Sequence, residues 1–229
     1  PSDAIYPPLT TDCLLAWASF PCQDLSLAGD RGGMSARRSG SYWPFWRIMR
    51  ELRSTHGRNA PGIIVVENVV GLLSDTASFN ALCQSFADLG MCFGALKLDA
   101  RAFVPQSRPR VFVVAVDRQV SLDGLMGPDD RSLPGAQNAV VKAYKLLPSL
   151  LRDSWRWWRL PIPQGDVPDF AAFFEPEPVD VAYNTAAETD YLLSLMNDRH
   201  LEKVRAAQAT GTKQFGFLYR RTRAGKQRA

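Results

Sequence analysis

Hydrophobic positions along the chain fall into apolar runs and helical stripes. Residues 12–19 are almost wholly apolar and bounded by polar and turn residues, which predicts a buried strand. From Trp43 to Arg53, the residues Phe45, Ile48, Met49 and Leu52 recur at helical spacing and predict an amphipathic helix. Pro61-Gly62 interrupts the pattern, and Ile63-Ile64-Val65-Val66 predicts a second buried strand of the parallel type, ending in Glu67-Asn68-Val69. Residues 76–90 carry a stripe of Phe79, Leu82, Cys83, Phe86 and Leu89, with Gly90 as a helix stop. Two more strands are expected near 92–98 and 110–116, joined by a loop that contains Val104-Pro105-Gln106-Ser107-Arg108-Pro109-Arg110. Strand and helix in alternation predict an α/β fold with a mostly parallel sheet. After Asp117 the pattern lapses. Residues 119–180 are rich in proline with scattered tryptophans and read as irregular, and Thr185-Ala186-Ala187-Glu188 has the form of a capping box opening a helix to about Ala207.

Composition narrows the class. The 229 residues are 46% hydrophobic and 22% charged, ordinary for a globular protein large enough to bury a core. No apolar run approaches the roughly 20 residues needed to cross a bilayer, so no membrane role is expected. Four cysteines, at 13, 22, 83 and 92, form no C-x-x-C pair and only two histidines exist, which argues against a zinc site or any other metal site. A disulfide framework does not suit a chain of this size, so a reducing, cytoplasmic setting is expected. The net charge of +4 is too small to imply a polyanion partner, but the arginines are clustered. They gather at 101, 108 and 110, at 152, 156 and 159 among three tryptophans, and in the basic stretch Arg220, Arg221, Arg223, Lys226 and Arg228. Such clusters suit phosphate contacts, and they equally suit solvated faces with a basic tail. For Trp155, Trp157 and Trp158 the favoured reading is aromatic core beneath exposed arginines.

Candidate chemistry lies at the strand ends. Phe20-Pro21-Cys22-Gln23-Asp24-Leu25-Ser26 sets one thiol directly behind the first apolar run, where open α/β sheets bind ligands. Residues 23–42 follow with Gly29, Gly32, Gly33 and Gly40 among charged residues, a long loop of the kind that is either a functional lid or a disordered segment. Glu67 closes the second strand, and Gln106, Arg108 and Arg110 open the fourth. A thiol, a carboxylic acid and guanidinium groups together suit nucleophilic attack on a heterocycle. Each has a plainer reading alone: a small buried hydrophobe, a turn residue, a solvated loop.

In order and wording, Phe20-Pro21-Cys22-Gln23, Glu67-Asn68-Val69 and Gln106-x-Arg108-x-Arg110 resemble the C5-cytosine DNA methyltransferase family over about residues 12–117. The resemblance implies a partial S-adenosylmethionine-dependent methyltransferase sheet, Rossmann-like, with an irregular target-recognition region. It divides the chain into a catalytic part at 1–118 and a target-recognition part at 119–229. It implies that Cys22 is the nucleophile adding to C6 of cytosine, so that C5 can take a methyl group from S-adenosyl-L-methionine. It also implies that Glu67 bonds the ring N3 and amino group, that Arg110 contacts the ring O2, and that Arg108 orients the site. Phe20, Pro21, Gln23, Ser26 and Gln106 are the implied substrate contacts, with Gln106 and Asn68 mainly structural, and residues 23–42 are the loop that closes on DNA. The implied partner is double-stranded DNA, in a bacterial restriction-modification style, with the target base flipped out of the duplex.

The chain also departs from the family. The glycine-rich cofactor motif expected before the Cys22 strand is absent, as is the closing motif that returns to the cofactor, so no cofactor-binding residue is assigned. Three accounts are open: a segment of a longer enzyme, one half of a split enzyme whose second chain supplies the cofactor motifs, or a non-catalytic DNA-binding fragment. A tRNA cytosine-5 methyltransferase is the alternative reading of the chemistry.

Overall fold

The computed structural model describes residues 13–20, 41–127, 137–161, 166–167, 169–175, 177–212, 214, 216, 218, 220–223 and 226–228. The chain divides into two compact units, Pro1–Val167 and Pro168–Ala229.

The first unit is built on a four-stranded sheet in the order β1-β2-β4-β3. Strand β1 (Leu15–Ser19) leads through helix α1 (Tyr42–His56) to β2 (Ile63–Val69), which pairs with β1 in parallel. Helix α2 (Thr76–Asp88) follows, with the Asp75 carboxylate accepting the backbone N–H of Ser78 at its start. At its end Gly90 takes φ +72°, the left-handed conformation that lets the chain leave a helix. Strands β3 (Met91–Asp99) and β4 (Pro109–Asp117) complete the sheet.

The sheet is mixed, not mostly parallel. Strand β4 runs antiparallel to both of its neighbours, and only β1 and β2 form a parallel pair. The reason lies in the connection: residues 100–108 are too few for the crossover of a dozen or more residues that a parallel pair needs, so the chain turns straight back.

The expectation that the first strand is buried is also corrected. β1 is an edge strand whose residues alternate, with Ala16 and Ala18 packed against the core while Leu15 and Trp17 stay 45% and 54% exposed. An apolar run cannot by itself distinguish a strand covered on both faces from one covered on a single face.

The main core gathers Ile64 and Val66 of β2, Phe79, Leu82 and Phe86 of α2, and Val111 and Val113 of β4, with Tyr42 and Met49 of α1 closing it. The Tyr42 hydroxyl and Ser85 Oγ lie 2.6 Å apart, and Trp46 Nε1 donates to the Ser85 carbonyl at 3.1 Å, which ties α1 to α2. Burial pushes the Tyr42 hydroxyl far above the ordinary phenol range, so it stays neutral.

Residues 119–180 hold more structure than their prolines suggest. Helix α3 (Asn138–Leu146) and the short α4 (Ser149–Arg152) set Val140, Ala143, Leu147 and Leu151 into the main core. The next residues lie along the edge of β3, where Phe93 N–H donates to the Ser154 carbonyl at 2.9 Å and Arg156 N–H to the Phe93 carbonyl at 2.7 Å. Trp155, Trp157 and Trp158 are each less than 10% exposed, in keeping with the core reading of that cluster, while Arg152 and Arg159 are exposed. The change of compact unit falls after Val167.

The second unit contains helices α5 (Ala186–Ser194) and α6 (Asp198–Ala209) and a two-stranded hairpin of β5 (Arg221–Arg223) and β6 (Lys226–Arg228). The capping box is present: Thr185 Oγ1 accepts from Glu188 N–H, and the Glu188 carboxylate accepts from Thr185 N–H at 2.8 Å. The expected single helix to Ala207 is broken, because Asn197 accepts the His200 N–H at 2.9 Å and starts a new helix.

Candidate active site

Hydrogen-bonding register brings three separate stretches of sequence to one rim of the sheet. β1 and β2 are parallel, with Ser19 paired to Glu67, so their side chains emerge together at the carboxyl ends. β4 is antiparallel, so its amino end arrives at the same rim, with Arg110 opposite Val69. The Glu67 carboxylate is held from both sides. Oε1 accepts from Arg110 Nε at 2.9 Å, and Oε2 accepts a short hydrogen bond from Ser19 Oγ. Glu67 and Arg110 are each about one-fifth exposed, so the pair is reachable from solvent but partly shielded.

Asn68, the next residue along β2, is buried on the opposite face, as strand alternation requires. Its Nδ2 donates to the Phe20 carbonyl at 3.2 Å and its Oδ1 accepts the Val69 N–H at 2.8 Å. Asn68 thus pins the chain just as it leaves β1, a structural role. Phe20 is 8% exposed and packs its ring against Tyr42, centroids 5.6 Å apart.

These groups line a cleft of about 310 Å³ with Ser19, Phe20, Glu67, Asn68, Val69, Arg108 and Arg110 around it. That volume lies at the small end of the range for ligand pockets, roughly 300–1,000 Å³. The cleft combines a carboxylate with two guanidinium groups, so it can pair with a ring that offers both donors and acceptors. Gln106 is exposed on the connecting loop and does not line the cleft. Pro21, Cys22, Gln23 and Ser26 lie outside the described residues.

Of the described thiols, two are disqualified as nucleophiles. Cys83 and Cys92 are buried, and burial pushes both up from the ordinary thiol range, which suppresses the reactive thiolate. The third, Cys13, hydrogen-bonds the Leu15 carbonyl at the start of β1, so it lies at the far end of that five-residue strand from the rim, roughly 17 Å away or more.

Sequence reasoning missed Ser19 and Asp99. Asp99 ends β3, and its carboxylate gathers the loop that carries the arginines: Oδ1 accepts Arg101 N–H at 3.1 Å and Arg108 N–H at 2.6 Å, and Oδ2 accepts Ser107 Oγ at 2.8 Å. These bonds, led by that from the Arg101 N–H, hold Asp99 below its ordinary pKa of 3.8. A carboxylate with a depressed pKa contributes order above its unfolded pKa and loses it as pH falls through the folded value. The expected result is that the Arg101 and Arg108 amides stay protected from hydrogen exchange near neutral pH. Protection is lost below the ordinary carboxylate range, and at every pH in Asp99→Ala. Unchanged protection in that variant would remove Asp99 from this role.

Residues 6–161 match the family model for the C-5 cytosine-specific DNA methylase, well over half of the chain. The chain belongs to that family. Among its relatives are the type II methyltransferase M2.BsuMI of Bacillus subtilis, 35% identical over 106 residues (45% of this chain, 26% of that protein), and the orphan methyltransferase M.SssI of Spiroplasma monobiae, 32% identical over 140 residues (58% and 36%). The chain thus spans about a fifth to a third of the length of the curated relatives it matches. The solved Dnmt2 methyltransferase of S. pombe is 24% identical over 48% of this chain and 32% of its own, with a TM-score of 0.35.

The C-5 cytosine-specific DNA methylases are enzymes that take their methyl group from S-adenosyl-L-methionine. The cleft does not fit that donor. Rossmann-type folds hold a nucleotide donor with a glycine-rich turn at a helix N-terminus, and the described lining of this cleft contains neither glycine nor helix. Among the described residues no cluster could hold a metal ion, and no helix is long and apolar enough to cross a membrane.

Proposed function

We propose that this chain carries the base-activating part of a DNA (cytosine-5) methyltransferase. The observation that carries the reading is the Ser19–Glu67–Arg110 cleft at the rim where the chain leaves β1. Cys22 follows Phe20, which lines the cleft, by two residues in sequence, and this supports it as the nucleophile. The other three cysteines are buried or far from the rim.

In this reading the cytosine is flipped out of the duplex at a cost of a few kcal/mol. The Cys22 thiolate forms a bond to C6, and the C5–C6 π pair moves to C5, which becomes the nucleophilic carbon. Negative charge spreads to N3 and O2. Glu67 shares a proton with N3 and accepts from the amino group, and Arg110 donates to O2. Once C5 carries the methyl group that S-adenosyl-L-methionine would supply, loss of the C5 proton to a base and expulsion of the Cys22 thiolate from C6 would restore the aromatic ring. Arg108, whose guanidinium has no partner among the described residues, is free for a backbone phosphate.

The donor site then belongs to sequence outside these residues, on the same polypeptide or on a second chain. Target recognition falls to residues 168–229, since residues 138–160 pack into the core of the first unit. Type II and orphan enzymes are both among the relatives, so the role is restriction-linked or solitary methylation of duplex DNA.

A duplex with 5-fluorocytosine at the target tests the reading, because fluorine cannot leave C5 as a proton does. With S-adenosyl-L-methionine and the enzyme complete with its donor site, wild type is expected to form a denaturant-resistant adduct and Cys22→Ser none. Equal trapping by Cys22→Ser would overturn the nucleophile, and methyl transfer to tRNA but not to duplex DNA would move the substrate.

A further inference from the structure

We infer that Ser19 is a positioning residue for Glu67, fixing the carboxylate in the plane in which it meets the cytosine ring; the inference rests on the cytosine-5 reading. Glu67 sits on β2, between β1 and β4 in the four-stranded sheet, and each of these neighbours contributes one hydrogen bond to it. From β4, Arg110 Nε holds Oε1 at 2.9 Å. From β1, Ser19 Oγ holds Oε2. Rotation of a carboxylate about its last side-chain bond is broad and weakly restrained, so one bond leaves the plane of the group free to swing. Two bonds from opposite sides remove that freedom.

Register explains why the residue is Ser19 and no other. Ser19 is the parallel-paired neighbour of Glu67, so both side chains leave the sheet on the same face. It is also the last residue of β1, three before Cys22 in sequence, and lines the same cleft. The strand that leads to the nucleophile is therefore tied to the acid through this hydroxyl.

Ser19 is exposed, and a hydroxyl there could be satisfied by water alone. Its bond to Glu67 adds little to a fold whose core lies elsewhere, and replacing it with alanine opens no cavity. Its loss should therefore appear in the chemistry and not in the melting temperature. Displacement of a reacting group by about 1 Å can cost as much as 10²-fold in rate.

Ser19→Ala is compared with Ser19→Thr, which keeps the hydroxyl on a side chain that strands favour. In the complete enzyme, Ser19→Ala is expected to lower kcat roughly 10–100-fold with KM for DNA nearly unchanged, the pattern of an interaction that matters only in the transition state. Ser19→Thr is expected to recover most of the loss, with melting temperatures alike in all three. In this chain alone, solvent exchange of the Arg110 Nε–H, followed by NMR, should quicken several-fold in Ser19→Ala and return in Ser19→Thr. Unchanged kcat or unchanged Arg110 exchange in Ser19→Ala would overturn the inference. If wild type itself transfers no methyl group, the cytosine-5 reading fails and takes the catalytic claim with it, while Arg110 exchange still decides whether Ser19 holds the carboxylate.

Discussion

Glu67→Gln should lower methyl transfer by the complete enzyme by roughly 10²–10⁴-fold, the range in which a well-placed general acid contributes. The amide keeps the shape of the side chain and an oxygen that can still accept from Arg110 Nε, so the rim should hold its geometry. What disappears is the ability to share a proton with ring N3 as charge builds there. Arg110 also loses its counter-charge, but both partners are about one-fifth exposed and water can take up part of the difference. Affinity for DNA should change little, because phosphate contacts supply most of it. Single-turnover methyl transfer and the rate of 5-fluorocytosine adduct formation would measure the effect. A rate within about threefold of wild type would remove Glu67 from the acid role.

The second large effect is structural and lies on β3, at the other edge of the sheet from β1. Gly94→Ala should destabilise the first unit by about 3 kcal/mol or more. A Cβ on residue 94 would sit 1.9 Å from the Arg156 carbonyl oxygen and 2.8 Å from Trp158 Nε1. The first of these atoms belongs to backbone that is itself hydrogen-bonded to Phe93, so it cannot yield as a flexible side chain would. Either the 154–158 segment peels from β3, exposing Trp155, Trp157 and Trp158, or β3 distorts. At 2–4 °C per kcal/mol the melting temperature should fall by roughly 6–12 °C, with a red shift in tryptophan emission before the main transition. A variant that melts with wild type would mean that the segment does not lie against β3 as described.

Much of this arrangement can be read from residue pattern alone. The runs at 63–66, 92–98 and 110–116 and the stripe at Phe79, Leu82, Cys83 and Phe86 became β2, β3, β4 and α2, because apolar periodicity reports burial directly. Glu67 and Arg110 stood out in sequence as candidates at two strand ends, and the structure brings them to 2.9 Å. Other features were hidden for physical reasons. Strand direction is not written in composition, but in the length of the 100–108 connection. The exposed face of β1 looks apolar in sequence, because Leu15 and Trp17 are large hydrophobic residues that the described sheet leaves uncovered. α3 was obscured because Gln137 gives it no side-chain cap and neighbouring prolines suggest a loop. Ser19 could not have been selected from sequence, since only the parallel register places a common serine beside Glu67.

The antiparallel course of β4 has a consequence for how this site can vary. Arg110 reaches the rim because it pairs with Val69, not because the preceding loop has a particular length. Residues can be added to or removed from 100–108 without moving the guanidinium, provided Asp99 or a substitute gathers the loop ends. A slip of one position between β2 and β4 is a different matter. It would turn Arg110 to the opposite face and bring Pro109 or Val111 to the rim, neither of which can hold a carboxylate. The loop is thus a tolerant address label, while the ladder between Ile63 and Val116 at one end and Val69 and Arg110 at the other is the ruler that sets the chemistry.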